Sequence, residues 1–192
     1  MNLPGVYSMF NERWGQFQTA HVISDLHFNE EDLKNAFPAR PSDEELIKLI
    51  NSKVGRKDIL FILGDCGDLE FVKQLRGYKV LIMGNHDTGS TKYKEIFDEV
   101  YEGALIIGEK LILSHEPVEI PWAHNIHGHD HNGHKRKNHT NVCADIIGYK
   151  PVNFNQWLRE GHTSRIQTIH RETIDHATER KRKRGGKKIG EK

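Results

Sequence analysis

The sequence predicts a single α/β domain, and three observations support this fold class. The chain has 192 residues, which is the usual size of one domain. Apolar runs of strand length recur at residues 20–24, 59–63 and 80–83, and each run ends in small or polar residues. Helical patterns lie between the runs, so a mixed sheet with intervening helices follows.

The three apolar runs are rich in β-branched residues and leucine. Continuous runs of this length and composition are typical of strands that are buried on both faces. A short buried helix has the same periodicity and stays an alternative on this evidence.

Two helices have local signals between the strands. Ser42 and Glu45, three residues apart, predict a capping box at the start of the first helix. Apolar residues recur on one face of that helix, as expected for a helix packed on a sheet. They are Leu46, Ile47, Ile50 and Val54. Residues 69–75 predict a second, short helix that Gly77 ends.

The second half of the chain has a different pattern. Residues 105–107 and 111–113 are apolar and flank Gly108-Glu109, which predicts a hairpin with a two-residue turn. Val142 is placed in a further strand. Asn153 is expected to cap a helix that ends by Gly161.

The composition excludes several classes of protein. With 36% hydrophobic and 29% charged residues, the chain is neither disordered throughout, nor collagen, nor a coiled coil. It has no run long enough to span a membrane, and residues 1–19 have no secretory pattern, so a cytoplasmic location is expected. Cys66 and Cys143 are far apart, which indicates free thiols in a reducing compartment.

Charge is distributed unevenly along the chain. The net charge is +1, but residues 177–192 contain eight Lys or Arg and two Glu. This basic tail is expected to be disordered. A solvated chain end and a nucleic-acid contact are both open interpretations of it. We expect residues 1–17 to be an N-terminal extension, 18–161 the main folded domain and 162–176 a C-terminal extension of unclear structure.

Histidine is the unusual residue of this chain. It has 13 histidines, seven of them between His115 and His139. Such bunching indicates either a metal site or an accident of composition, so the neighbouring residues must decide.

Residues that are typical metal ligands follow the predicted strands. Asp25 and His27 follow the first strand, Asp65 the second and Asn85 the third. In open α/β sheets, sites gather beyond the carboxyl ends of the strands, so these side chains can converge.

The nitrogen ligands come from later in the chain. His115 follows another apolar run, and the loop 128–131 contains His129 and His131. In an extended segment, residues two apart point the same way, so His129 and His131 are expected to share one side, as are Asp25 and His27.

Taken in order, these segments resemble the signature of the calcineurin-like metallophosphoesterases. The matching motifs are Asp25-Leu26-His27, residues 64–68, residues 84–87, His115 and residues 128–131. More narrowly, Arg40-Pro41 and residues 114–117 and 141–151 resemble small single-domain bacterial and phage phosphoesterases. The resemblance covers roughly residues 18–161 and implies an αββα sandwich of two sheets flanked by helices.

The resemblance also implies a site with two divalent metal ions. Asp25, His27 and His131 would hold the first ion. Asn85, His115 and His129 would hold the second, with Asp65 between them. Carboxylate, imidazole and amide ligands suit Mn, Fe, Zn or Ni, with Mn favoured, and Cys66 is not needed as a ligand.

The implied reaction is hydrolysis of a phosphodiester or phosphomonoester by a metal-bridging hydroxide. Bound divalent metal lowers the pKa of water from about 15.7 to about 7, which makes hydroxide available at neutral pH. By resemblance, His86 would protonate the leaving alkoxide and Asp68 would orient that imidazole. Asp87 is expected to hold its loop or a ligand histidine.

Substrate and partners stay open in part. No large cap domain fits between the motifs, which favours small phosphodiesters, nucleotides or single strands that lie across an open site. One alternative is a nuclease or RNA-processing phosphoesterase that uses the basic tail. Another is a noncatalytic scaffold. Protein phosphatases are a distant option, because they carry Arg where this chain has Leu69. No membrane partner is expected, and the oligomeric state is open.

Several residues have two interpretations. Arg40 could bind phosphate or be solvated. The tryptophans at 14, 122 and 157 could line a pocket or pack in the core. Substrate contact is one interpretation for some of the remaining histidines, namely His124, His127, His134 and His139. The others without motif support are expected to be surface or structural residues. They are His21, His162, His170 and His176.

Overall fold

The computed structural model describes residues 1–166, 176 and 178–180. The strands of these residues are β1 Ala20–Ile23, β2 Ile59–Ile62, β3 Tyr78–Ile82, β4 Glu99–Tyr101, β5 Leu105–Gly108, β6 Leu111–Leu113, β7 His124–His127, β8 His139–Asn141 and β9 Val152–Asn153. The helices are α1 Ser8–Trp14, α2 Glu31–Ala36, α3 Asp43–Asn51, α4 Leu69–Val72, α5 Ser90–Tyr93, α6 Ala144–Ile147 and α7 Phe154–Arg159.

The strands form two mixed sheets. One has five strands in the order β4-β3-β2-β1-β9, and the other has four in the order β5-β6-β7-β8. In the first sheet, β1 to β4 run parallel and β9 is antiparallel to β1. In the second, β5 and β6 form an antiparallel hairpin, while β6, β7 and β8 are parallel. The predicted α/β class with two sheets is confirmed.

Apolar side chains from both sheets meet in one buried cluster. Val22, Phe61 and Val80 of the five-stranded sheet share it with Leu113 and Ile126 of the other sheet. Burying each such side chain stabilises the fold by about 1.5–3 kcal/mol. The two sheets therefore pack face to face.

The opposite face of the five-stranded sheet is covered by helices. Ile62 and Leu81 lie in a second apolar cluster with Leu46 and Ile50 of α3 and Val72 of α4. A strand buried on both faces is apolar at nearly every position, which explains the apolar runs of the sequence.

The local signals of the sequence are largely reproduced. Ser42 and Glu45 form the predicted capping box, and Asn153 caps α7 by accepting a hydrogen bond from the Gln156 amide. The hairpin is present, although β5 includes Gly108, so the turn lies one residue later than predicted. Val142 directly follows β8, and α4 is shorter than the predicted helix over 69–75.

Residues 1–17, expected to be an extension, contribute to the core between the sheets. The ring of Trp14 is fully buried, with its centroid 4.7 Å from that of Phe61. Glu99 of β4 accepts hydrogen bonds from Trp14 Nε1 at 3.2 Å and from Arg13 Nε at 2.8 Å. This segment is therefore tied to both the core and the edge strand.

The predicted C-terminal segments are described only in part. Residues 162–166 follow α7, and residues 176 and 178–180 are exposed. The other residues of the expected extension 162–176 and of the basic tail 177–192, including His170, lie outside the described residues. Within the described part of the chain, we find no helix that could span a membrane.

Candidate metal centre

The predicted metal ligands come together at one edge of the two sheets. The ligands follow β1, β2 and β3 of the first sheet and β6 and β7 of the second. Because the first three strands are parallel, their carboxyl ends meet at one edge. All seven side chains belong to the contacts of this centre. They are Asp25, His27, Asp65, Asn85, His115, His129 and His131.

Three donor atoms on one side of the centre form a tight triangle. His115 Nε2 lies 2.8 Å from Asn85 Oδ1 and 3.1 Å from His129 Nδ1, and His129 Nδ1 lies 3.1 Å from Asn85 Oδ1. Adjacent ligands of an ion with bonds of about 2.1 Å are about 3 Å apart. The spacing therefore fits one cation bound by all three atoms.

The other side of the centre is built around Asp25. Its Oδ1 lies 3.5 Å from His131 Nε2 and 3.8 Å from His27 Nε2. Asp65 lies between the two sides, since its Oδ2 is 3.6 Å from His27 Nε2 and 3.3 Å from His115 Nε2. One carboxylate thus contacts both donor sets.

Two donor atoms of the centre are buried without a hydrogen-bond partner. They are Asp25 Oδ1 and His27 Nε2. A buried polar atom costs free energy unless it is partnered, and such atoms are rare in folded proteins. A divalent cation would satisfy both atoms, so the residues present fit a metal at this position.

The far side of three ligand rings is held by an oxygen. His27 Nδ1 lies 2.7 Å from Glu30 Oε2. His115 Nδ1 lies 2.8 Å from the Leu63 carbonyl oxygen, and His131 Nδ1 lies 2.8 Å from Asp145 Oδ2. Such contacts hold a proton on Nδ1, so Nε2 is the nitrogen through which each of these rings would bind a metal. The sequence motifs do not include Glu30 or Asp145. Glu30 is only three residues from His27, so a contact between them could be expected, whereas Asp145 is 14 residues from His131.

Arg40 neither binds phosphate nor is solvated, which corrects both interpretations of this residue. Its side chain is 1% exposed, and Nη1 donates to both carboxylate oxygens of Asp145, at 2.7 and 2.8 Å. Nη2 donates to the carbonyl oxygens of Asp25 and Leu26. Arg40 therefore ties the first ligand loop to α6, because the fold buries its charge beside the matching carboxylate.

The ligand loops are not extended, which corrects the argument from alternating side chains. Asp25, His27, Asp65 and His129 have φ values of 59°, 42°, 51° and 66°. A left-handed conformation costs a residue with a side chain about 1–3 kcal/mol and is common at functional sites. His129 and His131 consequently reach different donor sets, His129 beside Asn85 and His131 beside Asp25.

Gly64 and Gly128 lie so close to ligand side chains that a Cβ would not fit at either position. A Cβ on Gly64, whose φ is 87°, would lie 2.6 Å from His115 Nδ1. A Cβ on Gly128 would lie 2.3 Å from Asp25 Oδ2. These positions let the backbone pass directly behind the ligands.

Asp87 holds its loop, as predicted. Its carboxylate accepts hydrogen bonds from the amides of Asp65, Gly84 and Cys66. The Cys66 thiol also donates to it, at 3.3 Å. Burial, together with Asp87, raises the pKa of the Cys66 thiol.

His86 lies at the centre, but Asp68 does not contact it, contrary to the expected pairing. The exposed His86 ring has its centroid 5.5 Å from that of His27, and its amide donates to Asp65 Oδ1 at 3.0 Å. Asp68 accepts hydrogen bonds from the Glu70 amide, at 2.9 Å, and from Asn29 Nδ2, at 3.3 Å. As the N-cap of α4, Asp68 has its side chain committed to the helix end.

The charges of the centre are coupled. Burial opposes ionisation of Asp25 and Asp65, but the neighbouring histidines hold the pKa of both carboxyls below the usual value. The hydrogen bond to Asp145, with further help from Asp25, raises the pKa of His131 to about 12. The acidic groups are therefore charged at neutral pH, as metal ligands must be.

Most other histidines are structural. His124 packs its ring 4.9 Å from Trp157, and His127 lies 5.2 Å from the ring of His139. His21 is buried 3.6 Å from Asp58. His162 stacks on Trp157, while His134 and His176 are exposed. Trp14 and Trp157 are core residues, and Trp122 is half-buried.

The chain is similar to known proteins in sequence and in structure. A family model described as calcineurin-like phosphoesterase matches residues 19–186. No curated protein matches. A protein of unknown function from Aquifex aeolicus, AQ665, has a similar structure, with a TM-score of 0.62, 27% identity, and coverage of 73% of this chain and 98% of that chain. The Pseudomonas putida nuclease MPE matches with a TM-score of 0.34 and 20% identity over 58% of this chain and 60% of that chain.

Proposed function

The chain belongs to the calcineurin-like phosphoesterase family, and from this premise we propose that it hydrolyses phosphodiesters or phosphomonoesters with two divalent cations. The position of Asp65 carries the proposal. Its Oδ2 lies within 3.6 Å of His27 Nε2 and 3.3 Å of His115 Nε2, so one carboxylate is shared by two donor sets. Two ions that share a ligand can act on the same phosphoryl group.

The donor chemistry supports a borderline metal. The proposed ligands combine carboxylate, imidazole and amide oxygen, which suits Mn, Fe, Zn or Ni, and we favour Mn. The thiol of Cys143 also lies within reach of Asp25 and His131 but is not among these ligands. When bound, such cations supply Lewis acidity and lower the pKa of water to about 7. The carboxylates of Asp25 and Asp65 neutralise half of the charge of two divalent ions. The centre therefore stays positive and attracts an anionic ester.

The protein's own residues would bind, orient and move protons. Glu30 and Asp145 orient the imidazoles of His27 and His131 through Nδ1. His86 is exposed beside His27, and its amide is held by Asp65. We propose that the His86 imidazole donates a proton to the leaving oxygen.

The proposal is tested by restoring activity with metal. Metal-stripped protein is resupplied with Mn²⁺, Ni²⁺, Zn²⁺ or Mg²⁺, and hydrolysis of bis-p-nitrophenyl phosphate and p-nitrophenyl phosphate is measured. We expect turnover only with metal, and loss of turnover in Asp65→Asn.

Asp58→Asn is the matched control. Asp58 is a buried carboxylate at the opposite end of β2, where it accepts a hydrogen bond from the Gly55 amide. The control variant should keep its activity. Stoichiometric metal binding without turnover of either ester would instead favour a noncatalytic scaffold.

A further inference from the structure

Three consecutive cations lie on the loop that leaves the metal centre. Lys135, Arg136 and Lys137 are exposed, and they begin four residues after His131. Among the described residues, Lys135 and Lys137 have no ion-pair partner. Arg136 lies 3.6 Å from the exposed Glu119, a pair of little energetic weight. The proposed hydrolysis uses none of these three charges.

This basic loop, residues 132–138, is held against the ligand loop by Asp130. The Asp130 carboxylate accepts hydrogen bonds from the amides of Asn132 and His134, both at 3.1 Å, and it contacts His134 Nδ1 at 3.0 Å. Asn141 Nδ2 donates to the Asp130 carbonyl at 2.6 Å. Asp130 lies between His129 and His131, so these contacts fix the start of the basic loop next to the ligand loop.

The far end of the basic loop is held by the segment that follows another ligand. His139 Nε2 lies 3.4 Å from Glu119 Oε2, and Glu119 is four residues after His115. The Asn138 carbonyl accepts a hydrogen bond from the Asn125 amide at 2.9 Å, and His139 pairs with Asn125 in the parallel register of β7 and β8. The basic loop therefore leads from the ligand loop, which follows the end of β7, back toward the start of that strand.

A small ester leaves such cations without a partner. It has one phosphate, which the metal centre would take. A nucleic-acid strand has a phosphate at every nucleotide, so a strand held at the centre carries further phosphates past it, which cations along its path can bind. Cations that contact backbone phosphates fix the position of a strand without selecting its sequence.

We propose that Lys135, Arg136 and Lys137 bind phosphates on one side of the scissile one in single-stranded nucleic acid, along the path by which the loop leaves the metal centre. This inference rests on the proposed function and names its substrate class. A flexible single strand can present successive phosphates to three cations on one short loop. Neither the basic tail nor base-specific contacts are needed for it.

The test compares two triple variants of the full chain. Lys135→Gln/Arg136→Gln/Lys137→Gln removes the loop charges. The matched control, Lys53→Gln/Arg56→Gln/Lys57→Gln, removes three exposed charges just before β2, at the opposite end of that strand from Asp65. The tail is intact in each protein, so its contribution to binding is common to all of them.

Binding is measured without turnover. Fluorescence anisotropy follows a labelled single-stranded oligonucleotide of about 12 nucleotides with metal-free protein, between about 50 and 200 mM salt. For the loop variant, we expect at least about tenfold weaker binding at the lower salt and a slope of log K against log salt that is shallower by about 2. The control should match the wild type. With metal restored, both variants should hydrolyse bis-p-nitrophenyl phosphate at the wild-type rate.

Three results would overturn the proposal. Equal losses of affinity in both variants would mean that oligonucleotide binding depends on the total surface charge and not on this loop. Loss of small-diester hydrolysis with unchanged oligonucleotide binding would assign the loop to the structure of the centre. Competition by a nucleoside triphosphate that depends on the loop, without any loss of oligonucleotide binding, would assign the cations to a small polyphosphate. If no protein hydrolyses the small diester, only the proposed function fails, because the anisotropy result stands independently.

Discussion

The imidazole of His131 and the carboxylate of Asp145 are joined at 2.8 Å between Nδ1 and Oδ2. Asp145 is in turn bound by Arg40, which also donates to the Asp25 carbonyl. A ligand histidine on one loop and a ligand aspartate on another are thereby connected through one buried ion pair. The geometry of the centre and the stability of the fold depend on the same contacts.

Removing the Asp145 carboxylate should destabilise the fold strongly. The side chains of Arg40 and Asp145 are only 1% and 3% exposed, so Asp145→Ala leaves a buried charge unpaired. We expect the free energy of unfolding in urea to fall by about 3–5 kcal/mol. Glu70→Ala, which breaks the exposed pair with Lys73, should cost less than about 1 kcal/mol. Similar losses in the two variants would contradict this account of Arg40.

The contact between Glu30 and His27 should matter for metal affinity. Glu30→Gln keeps a hydrogen-bond acceptor but removes the carboxylate charge that lies 2.7 Å from His27 Nδ1. Calorimetric titration with Mn²⁺ should show about tenfold weaker binding. Glu31→Gln changes the adjacent exposed carboxylate and should leave the affinity as it was. An unchanged affinity in Glu30→Gln would mean that Glu30 does not tune His27.

A methyl group at Gly84 should displace Asp65. A Cβ built there lies 2.2 Å from Asp65 Oδ1 and 2.8 Å from the Asp65 amide nitrogen, which is too close for either to stay in place. We expect Gly84→Ala to weaken Mn²⁺ binding at least about tenfold. Gly103→Ala is the control, because its Cβ meets no atom within 4 Å. Equal metal affinities in the two variants would remove Asp65 from the ligand set.

Acid should destabilise the metal-free protein through His124. Burial, with smaller contributions from His162, His139 and His127, lowers the pKa of His124 to about 4. In the unfolded chain His124 binds a proton near pH 6.5, whereas in the folded chain it stays neutral down to about pH 4. The folded state therefore loses stability as the pH falls from about 6.5 toward 4.

For His124, the size of this effect is about 2 kcal/mol between pH 7 and pH 5. His124→Gln keeps a donor for Thr140 Oγ1, which lies 2.9 Å from His124 Nε2. In urea unfolding without metal, the variant should lose about 2 kcal/mol less than the wild type over this interval. Parallel pH profiles would show that His124 is not held neutral by the fold.

The role of His86 should depend on the leaving group. If its imidazole protonates the leaving oxygen, His86→Ala should lower kcat by about 10²–10⁴-fold for a dinucleotide, whose leaving group is an alkoxide. The loss should be much smaller with bis-p-nitrophenyl phosphate, because p-nitrophenolate is stable as an anion. His162→Ala changes a histidine that stacks on Trp157 and should lower neither rate. Equal losses on both substrates would assign His86 to binding.

Much of this protein is determined by short stretches of sequence. The apolar runs specify β1, β2 and β3, because a strand buried on both faces is apolar at nearly every position. Capping depends on residues three apart, so Ser42 with Glu45 and Asn153 were recognisable without a structure. That the seven proposed ligands lie close together was also predictable, since each follows a strand whose end lies at a common edge.

Other features depend on residues that are distant in the chain. Arg40 meets Asp145 across 105 positions, and no local pattern distinguishes this buried pair from a solvated arginine. Asp68 caps α4 instead of contacting His86, because the helix end competes for its carboxylate. The left-handed turns at Asp25 and His129 also need the surrounding fold, which compensates for their conformational cost. The sequence by itself determined which chemical groups the centre contains. Only the tertiary structure decided their orientation and partners, because burial and long-range contacts set the cost of every alternative arrangement.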